Sequence, residues 1–225
     1  MMNRHPFHWL VPVAFLVLSA CAATTPPQEQ TAAAPAAGAP VTPADQAYRE
    51  TGLASWYGRE FHGRKTASGD VFDMNAMSAA HRTLPLGTMI TVTNLENFKS
   101  VSVKVIDRGP LVRNRILDLS YGAAKQLGFV AQGAAQVKIE TQGPVGSGAA
   151  LYTVLAASFT EEENAKLLKE RLNRKYEVVH ILPVATNLAT LFRVQVGAYP
   201  TEEKAERIAA KLKLDGLEPL VLRKD

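Results

Sequence analysis

Residues 89–120, MITVTNLENFKSVSVKVIDRGPLVRNRILDLS, decide the fold of the central part of this 225-residue chain. Short apolar runs rich in β-branched residues, separated by turn residues, predict β-strands here and on either side. The predicted strands are residues 54–57, 89–94, 101–106, 116–119 and 136–140. Only residues 121–127 have a helical pattern, which Gly128 ends. Many short strands with a single helix predict a small closed β-barrel.

Aromatic residues, glycines, carboxylates and a histidine surround these strands. The motifs are Ala54-Ser-Trp-Tyr-Gly58, Phe61-His-Gly63, Thr66-Ala-Ser-Gly-Asp-Val-Phe-Asp73, His81, Leu84-Pro-Leu-Gly87 and Asp107-Arg-Gly-Pro110. Aromatic rings stack on sugars, carboxyl groups transfer protons, and glycines let the backbone approach a ligand closely. The cluster therefore predicts a carbohydrate groove.

The N-terminus is predicted to be an export signal. Residues 9–20 form an apolar run that is shorter than the roughly 20 residues of a membrane-spanning helix, and Cys21 follows it. The motif Leu18-Ser-Ala-Cys21 resembles the bacterial lipobox, which implies lipidation of Cys21. A chance cysteine in an ordinary signal peptide is the alternative. Ala22, by the same resemblance, implies sorting to the outer membrane of a Gram-negative cell.

Composition divides the rest of the chain. We expect residues 1–21 to be the signal peptide and residues 22–50, rich in Ala, Pro, Thr and Gln, to be a disordered tether. A stretch of small residues, 142–149, is predicted to link a barrel domain at 51–141 to a second domain at 150–225.

The charge pattern argues against nucleic acid as a partner. The formal net charge is +4, and the basic residues neither cluster densely nor alternate with aromatic residues. This excess suits an anionic wall polymer, although an ordinary solvated surface explains any single charge equally well. We expect no metal site, because the scattered histidines have no ligand spacing and no thiol follows Cys21.

Residues 150–225 contain an internal repeat with a spacing of 40 positions. The matched pairs include Val154 and Val194, Phe159 and Tyr199, Ala165 and Ala205, and Leu172 and Leu212. Each half is predicted to be strand, helix, strand, with a capping box at Thr160-Glu-Glu-Glu163 before the first helix and a second helix at 201–214 that stops at Gly216. The two halves predict a four-stranded antiparallel sheet with two helices on one face.

This second region resembles the SPOR domain, a module that binds peptidoglycan strands stripped of their stem peptides. The motifs are Val154-Leu-Ala-Ala-Ser-Phe159 and Arg193-Val-Gln-Val-Gly-Ala-Tyr199. The resemblance implies glycan binding by Ser158, Phe159, Arg193, Gln195 and Tyr199. Leu155 and Ala157 depart from the usual Gln and Gly of the family. Phe159 and Tyr199 could alternatively be core aromatics.

The central motifs, with Val92-Thr-Asn-Leu95, Ile116-Leu-Asp-Leu-Ser120 and Leu127-Gly128, resemble the rare lipoprotein A (RlpA) family. The resemblance implies a multi-domain protein in which an all-β double-psi β-barrel precedes an α+β SPOR domain. It also implies an endolytic lytic transglycosylase that cleaves the MurNAc–GlcNAc bond of peptide-free glycan, forms 1,6-anhydroMurNAc, and needs no cofactor or metal. Such a protein would be a septal outer-membrane lipoprotein that faces the periplasm.

The same resemblance implies catalytic roles for Asp70, Asp73, His81 and Asp107. Asp107 is the candidate acid/base, and Asp73 and His81 would shape its protonation and orient the substrate. Asp70 stands where the family commonly has Glu, so its carboxyl group lies farther back. Asp107 could alternatively cap its turn and form an ion pair, and His81 could simply hydrogen-bond within its loop.

Aromatic and basic residues near these carboxylates are candidates for sugar binding: Trp56, Tyr57, Phe61, His62 and Arg108. Because adjacent strand residues face opposite sides, one of Trp56 and Tyr57 is expected to be exposed. The pair Asn97-Phe98 replaces the Asn-Gly of a tight hairpin, which implies a different loop. A non-catalytic wall binder is the rival interpretation, and an expansin-like protein that loosens polymer without cutting it is a third.

Overall fold

The computed structural model describes residues 47–146, 150–186 and 189–225. They belong to one compact unit, Pro40–Asp225. The predicted signal peptide, Cys21 and most of the predicted tether lie outside the described residues, as do residues 147–149 of the predicted linker. Within the described ranges, no helix combines the length and apolar character needed to cross a membrane.

Six strands close into a barrel in the first part of the chain. They are β1 (Ala47–Tyr57), β2 (Ser78–Ala80), β3 (Met89–Asn94), β4 (Ser100–Asp107), β5 (Arg115–Ser120) and β6 (Ala134–Pro144). The order around the barrel is β1-β5-β2-β4-β3-β6. The pairs β1–β5 and β2–β4 are parallel, and the other pairs are antiparallel. The predicted closed barrel is confirmed.

Alternating residues of the strands fill the barrel interior. Leu117 and Leu119 of β5 and Val103 and Val105 of β4 are fully buried in one hydrophobic cluster. Their neighbours in sequence point the other way, as the two-residue period of a strand requires. This period explains why Asp118 of β5 is available to line an external cleft. Asp107 of β4 is in step with Val103 and Val105 instead, and it pairs with Ala80 where the register of β4 against β2 shifts.

One short helix, α1 (Tyr121–Leu127), follows β5 directly and packs Ala123, Ala124 and Leu127 into the same cluster. The Oγ atom of Ser120 accepts a hydrogen bond from the backbone N of Ala123 at 3.3 Å and caps the helix. Gly128, with φ of 78°, ends it in the left-handed conformation that glycine adopts without strain. The predicted helix has these bounds.

The second part forms a separate sheet. Its elements are β7 (Leu151–Phe159), α2 (Glu162–Asn173), β8 (Val179–Ala185), β9 (Thr190–Tyr199), α3 (Glu202–Leu214) and β10 (Leu220–Lys224). The strands are antiparallel in the order β10-β7-β9-β8. Both helices bury apolar residues in one cluster with the sheet. The predicted four-stranded sheet with two helices is confirmed.

The two helices of this domain begin differently. The hydroxyl of Thr201 accepts a hydrogen bond from the backbone N of Lys204 at 3.3 Å and caps α3. The capping box predicted at Thr160 is wrong, because α2 begins at Glu162 and its N-cap is Glu161, which makes no side-chain capping bond. Thr160 therefore lies one residue too early for its hydroxyl to occupy the N-cap position.

The second domain lies against the barrel. The backbone N of Arg223 in β10 donates to the carbonyl oxygen of Arg82 at 3.0 Å. Arg113 forms an ion pair with Glu218 at 2.5 Å and donates to the carbonyl oxygen of Pro219 at 2.9 Å. These contacts join β10 and the turn before it to two loops of the barrel.

The turn between β3 and β4 contains Asn97-Phe98, the pair that replaces the Asn-Gly of a tight hairpin. Phe98 has φ of 58° and its side chain is 79% exposed. A β-carbon is unfavourable in this left-handed conformation, and an exposed ring gains little from packing.

Replacement of Phe98 by asparagine is therefore expected to raise the free energy of unfolding by about 0.5–1 kcal/mol, because asparagine tolerates this conformation. Urea denaturation of the two proteins measures the difference. A Leu95→Asn variant in the same turn provides the control for lost apolar surface. A Phe98→Asn protein that is less stable than the wild type would show that the ring, not the backbone, dominates at this position.

Candidate active site

A cleft of about 510 Å³ opens on the barrel at the ends of β1 and β4 and beside Arg115 and Asp118 of β5. This volume falls within the range of about 300–1,000 Å³ typical of small-molecule sites. Residues of the barrel form most of its wall, and the second domain adds Val184, Ala185, Thr186 and Arg193.

Four polar or small residues on neighbouring strands form a row across the cleft. Ser55 of β1 pairs with Asp118 of β5, Asp118 pairs with Ala80 of β2, and Ala80 pairs with Asp107 of β4. All four line the cleft. Two strand spacings of about 4.8 Å each separate the backbones of the two aspartates. The barrel thus brings two carboxyl groups from different strands to one surface.

Asp107 ends β4 and is half-buried. Its Oδ1 atom accepts hydrogen bonds from the backbone N of Ala67 at 3.0 Å and the backbone N of Arg108 at 2.8 Å. The first bond ties it to the loop between the 3-10 helix Arg59–Phe61 and β2. Both bonds fix the orientation of the carboxyl group at the wall of the cleft.

Asp118, the second carboxyl group of the cleft, is absent from the predicted site residues. Its Oδ1 atom accepts a hydrogen bond from the hydroxyl of Ser55 at 2.6 Å and lies 3.5 Å from Nε of Arg115. Burial raises the pKa of Asp118, and the bond from Ser55 and the charge of Arg115 only partly oppose this effect. A polar residue in the middle of an apolar strand, Arg115–Ser120, was the signal that could have identified it.

The turn after Asp107 lies beside Asp118. A β-carbon placed on Gly109 would be 4.0 Å from Oδ2 of Asp118 and 3.8 Å from the β-carbon of Ala80. A larger residue at position 109 would therefore narrow the space between the two carboxyl groups.

Aromatic rings form the side of the cleft next to these carboxyl groups. Tyr57 stacks on Phe72 with ring centroids 4.3 Å apart, and Phe61 meets Tyr57 edge to face at 5.7 Å. Trp56 lies 5.5 Å from Tyr121 in the same manner. Trp56, Tyr57 and Phe61 all line the cleft, but Trp56 and Tyr57 are only half exposed. Phe61, 39% exposed, offers the most accessible ring of the three.

Arg108 also lines the cleft, but its guanidinium group is already bound by protein acceptors. Its NH1 atom donates to the carbonyl oxygens of His81 at 3.1 Å and Leu84 at 2.7 Å, and its NH2 atom pairs with Asp225. Burial and the nearby charge of Arg223 lower the pKa of Arg108 to about 10. Arg108 therefore joins the second domain to the wall of the cleft.

His81 does not line this cleft. Its backbone N donates to the carbonyl oxygen of Asp107 at 3.1 Å, but its ring turns away toward Glu50 and Tyr48. Nδ1 accepts from the backbone N of Leu84 at 3.0 Å, so the proton lies on Nε2, which is 3.2 Å from Oε2 of Glu50. Glu50, which is far away in sequence, binds the ring, and the ring does not line the cleft.

Asp70, Asp73 and His62 also lie outside the cleft, on an exposed loop. Asp73 accepts from the backbone N of Asn75 at 2.9 Å and lies 3.7 Å from Nδ1 of His62. Asp70 accepts from the hydroxyl of Ser68 at 3.0 Å. The hydrogen bonds of these side chains are local to the loop, and none of the three residues lines the cleft. Of the four predicted catalytic residues, only Asp107 lines the cleft.

The predicted glycan-binding residues of the second domain fall into two groups. Phe159 and Tyr199 pack partly against its hydrophobic cluster, as the core alternative proposed. Ser158 is exposed, Gln195 is half-buried, and neither lines the cleft. Arg193 alone of this set lines it. No group of His, Cys, Asp and Glu in the described part of the chain is arranged to hold a metal ion.

The buried His81 predicts a pH dependence of stability. Burial lowers its pKa from the ordinary value of 6.5; the charges of Arg82 and Arg108 act in the same direction, and Glu50 opposes them. The unfolded chain therefore binds a proton more readily than the folded one as the pH falls below 6.5.

We expect the free energy of unfolding to decrease as the pH falls from about 6.5 toward the lowered pKa of the folded state. Hydrogen bonds from His81 and Tyr48 lower the pKa of Glu50 despite its burial. Protonation of this carboxylate therefore decreases the free energy of unfolding further at lower pH. Urea denaturation at several pH values measures the slope. A His81→Asn protein should lose the part of the slope near pH 6, whereas His62→Asn should keep it. Equal slopes in the wild type and His81→Asn would contradict this assignment.

Comparison with known proteins supplies independent matches for both domains. Residues 49–139 match the family model described as "Lytic transglycolase", and residues 148–223 match the model of the SPOR domain.

Curated relatives match across both regions. A Neisseria meningitidis serogroup B protein named endolytic peptidoglycan transglycosylase RlpA is 41% identical over 187 residues, which cover 78% of this chain and 77% of the relative. The protein of that name from Pseudomonas aeruginosa strain UCBPP-PA14 is 54% identical over 100 residues, but these span 44% of this chain and only 29% of the relative. A solved structure of apo expansin from Clavibacter michiganensis aligns with 69% of this chain and 81% of that chain, at 15% identity and a TM-score of 0.36.

Proposed function

This chain belongs to the RlpA family of endolytic peptidoglycan transglycosylases, and we propose that it cleaves the MurNAc–GlcNAc bond of peptide-free glycan strands with formation of 1,6-anhydroMurNAc. It carries the lytic transglycosylase domain of a lyase, followed by a SPOR domain. The observation that carries the proposal is that the carboxyl groups of Asp107 and Asp118, two strands apart, line one cleft beside the accessible ring of Phe61. Burial raises the pKa of Asp118.

Asp118 is the proton donor in this proposal. A general acid must hold a proton near neutral pH, and a buried carboxyl group with a raised pKa does so more readily than an exposed one. Asp118 protonates the glycosidic oxygen as the bond from C1 of MurNAc to that oxygen breaks. The resulting carboxylate then accepts the proton of the C6 hydroxyl as this oxygen attacks C1. The two steps close the anhydro ring and consume no water.

Asp107 is the second carboxyl group. Its Oδ1 atom is fixed by two backbone N–H groups, which favour an acceptor at this position. A carboxylate here stabilises the positive charge that develops at C1 as the glycosidic bond breaks. The sequence favoured Asp107 as the acid, but the burial of Asp118 supports exchanging the two roles.

The remaining assignments follow from the family and the lipobox. The protein associates with the cell wall. Its SPOR domain and its membership of the RlpA family both imply that peptidoglycan is its partner. We propose further that Cys21 is lipidated, that the protein is an outer-membrane lipoprotein facing the periplasm, and that the SPOR domain enriches it at the division septum. Catalytic roles for Asp70, Asp73 and His81 remain predictions from the resemblance.

Incubation of the purified full-length protein with amidase-stripped and untreated sacculi tests this proposal. Stripped sacculi should release fragments with 1,6-anhydroMurNAc ends, and untreated sacculi should release far fewer. Sedimentation of the protein with the sacculi reports binding in the same samples. Binding without any release would favour the rival non-catalytic wall binder, and loss of mechanical strength without new chain ends would favour expansin-like loosening.

A further inference from the structure

The second domain contributes a cationic side chain to the catalytic cleft. Arg193 lies in the middle of β9, paired with Ser158 of β7 and Leu182 of β8, and lines the cleft with Val184 and Asp107. Since β9 belongs to the second domain, the cleft is complete only when both domains are present.

The guanidinium group of Arg193 has no hydrogen-bond acceptor among the described residues. Its Nε atom is buried without a hydrogen-bond partner, and its guanidinium group forms no ion pair within 4 Å. Burial lowers the pKa of Arg193, while the negative charge of Asp107 favours its charged form. A half-buried cation without a hydrogen-bonded partner costs free energy that a bound anion would recover.

The other arginines around the carboxyl groups are already engaged. Arg108 binds two backbone carbonyl oxygens and Asp225. Arg115 donates to the hydroxyl of Ser55 at 2.5 Å and lies beside Asp118. Of the three arginines nearest the two carboxyl groups, Arg193 is therefore the one whose guanidinium group has no hydrogen-bond acceptor among the described residues. A fourth arginine of the cleft, Arg64, lies over the ring of Phe61 at 6.0 Å.

The proposed substrate carries one suitable anion on each repeating unit. Removal of the stem peptide leaves the lactyl group of MurNAc as a free carboxylate, whereas an attached peptide converts the same group into a neutral amide. Arginine can donate two parallel hydrogen bonds to a carboxylate but has no equivalent geometry for an amide. One side chain could thus distinguish stripped from peptide-bearing strands by charge.

We infer that Arg193 binds the free lactyl carboxylate of a MurNAc residue in the cleft, so that the second domain takes part in substrate selection by the catalytic domain. This inference rests on the proposed function, because it concerns the same cleft and the same polymer. It assigns Arg193 a role in recognition of a single sugar next to the broken bond, in addition to any role of the SPOR domain in localisation.

The test compares two substrates and four proteins. The substrates are stripped glycan strands and the same strands after conversion of their carboxylates to methyl amides. The proteins are full-length wild type, Arg193→Gln, Arg193→Lys and, as a matched control, Arg171→Gln at an exposed position of α2. For stripped strands, Arg193→Gln should raise KM by about 10-fold with little change in kcat, the loss expected for one hydrogen bond to a charged group. Arg193→Lys should recover part of this loss, and Arg171→Gln should match the wild type.

The amidated strands distinguish loss of carboxylate binding from a general structural effect of the Arg193→Gln substitution. Wild type and Arg193→Gln should have equal KM values for them, because the anion is absent. A loss of equal size on both substrates, or no loss on either, would overturn the inference. Binding of fluorescent stripped strands to an Asp118→Asn protein, with and without Arg193→Gln, needs no turnover. If the wild type makes no anhydro ends but this binding still depends on Arg193, the proposed function fails, whereas the binding of the free carboxylate by Arg193 stands.

Discussion

Replacement of Asp118 by asparagine is expected to lower the rate of glycan cleavage by about 10²–10⁴-fold, the usual contribution of general acid–base catalysis. The amide has nearly the shape of the carboxyl group, and its Oδ1 atom can still accept the hydrogen bond from Ser55. It cannot supply a proton to the glycosidic oxygen. The release of fragments from stripped sacculi over time measures the change.

Binding provides the control for this variant. Sedimentation of Asp118→Asn with stripped sacculi should equal that of the wild type, because the aromatic wall and the second domain are unchanged. Asp215→Asn, which alters an exposed ion pair with Lys175 on the second domain, should keep full activity. An Asp118→Asn protein with wild-type release would remove Asp118 from the mechanism and return the acid to Asp107.

Replacement of Asp107 by asparagine is expected to lower cleavage by about 100-fold or more. The Oδ1 atom of the amide still accepts from the backbone N of Ala67 and of Arg108, so the loop stays in place. The negative charge that stabilises the transition state is lost. Turnover of stripped strands should therefore fall while the melting temperature changes little.

The double variant adds a further check on Asp107. If both carboxyl groups serve one reaction, Asp107→Asn together with Asp118→Asn should be scarcely slower than Asp118→Asn alone, because such effects are not additive. Unchanged release by Asp107→Asn, with retained sedimentation, would show that this carboxyl group only caps the Arg-Gly-Pro turn.

The local sequence pattern predicted the regular elements well. Strand β3 and helix α1 have the predicted bounds, because alternating apolar residues and the terminal Gly128 are local signals. Strand β2 was missed, since Ser78–Ala80 is three residues long and contains only small side chains. Its place in the barrel depends on pairing with β4 and β5, which no local pattern encodes.

The candidate site was predicted only in part, for the same reason. Asp107 was identified from its position before a turn, and it lines the cleft. His81 was expected to act with it, but its ring contacts Glu50 of β1 and does not line the cleft. Asp118 lies within the motif Ile116–Ser120, but its burial follows from the closed barrel and not from the local pattern. Arg193 was predicted to bind glycan, but its place in the cleft depends on the packing of the two domains, which the sequence pattern of neither domain encodes.

The central claim is that the cleft breaks the glycosidic bond without water, and isotope labelling tests it most directly. Stripped glycan is incubated with the full-length protein in water enriched in ¹⁸O, and the new ends are identified by mass spectrometry. The two carboxyl groups and the ring closure at C1 predict 1,6-anhydroMurNAc ends that contain no ¹⁸O. New reducing ends that carry ¹⁸O at C1 would show that the protein is a hydrolase and would contradict the assignment.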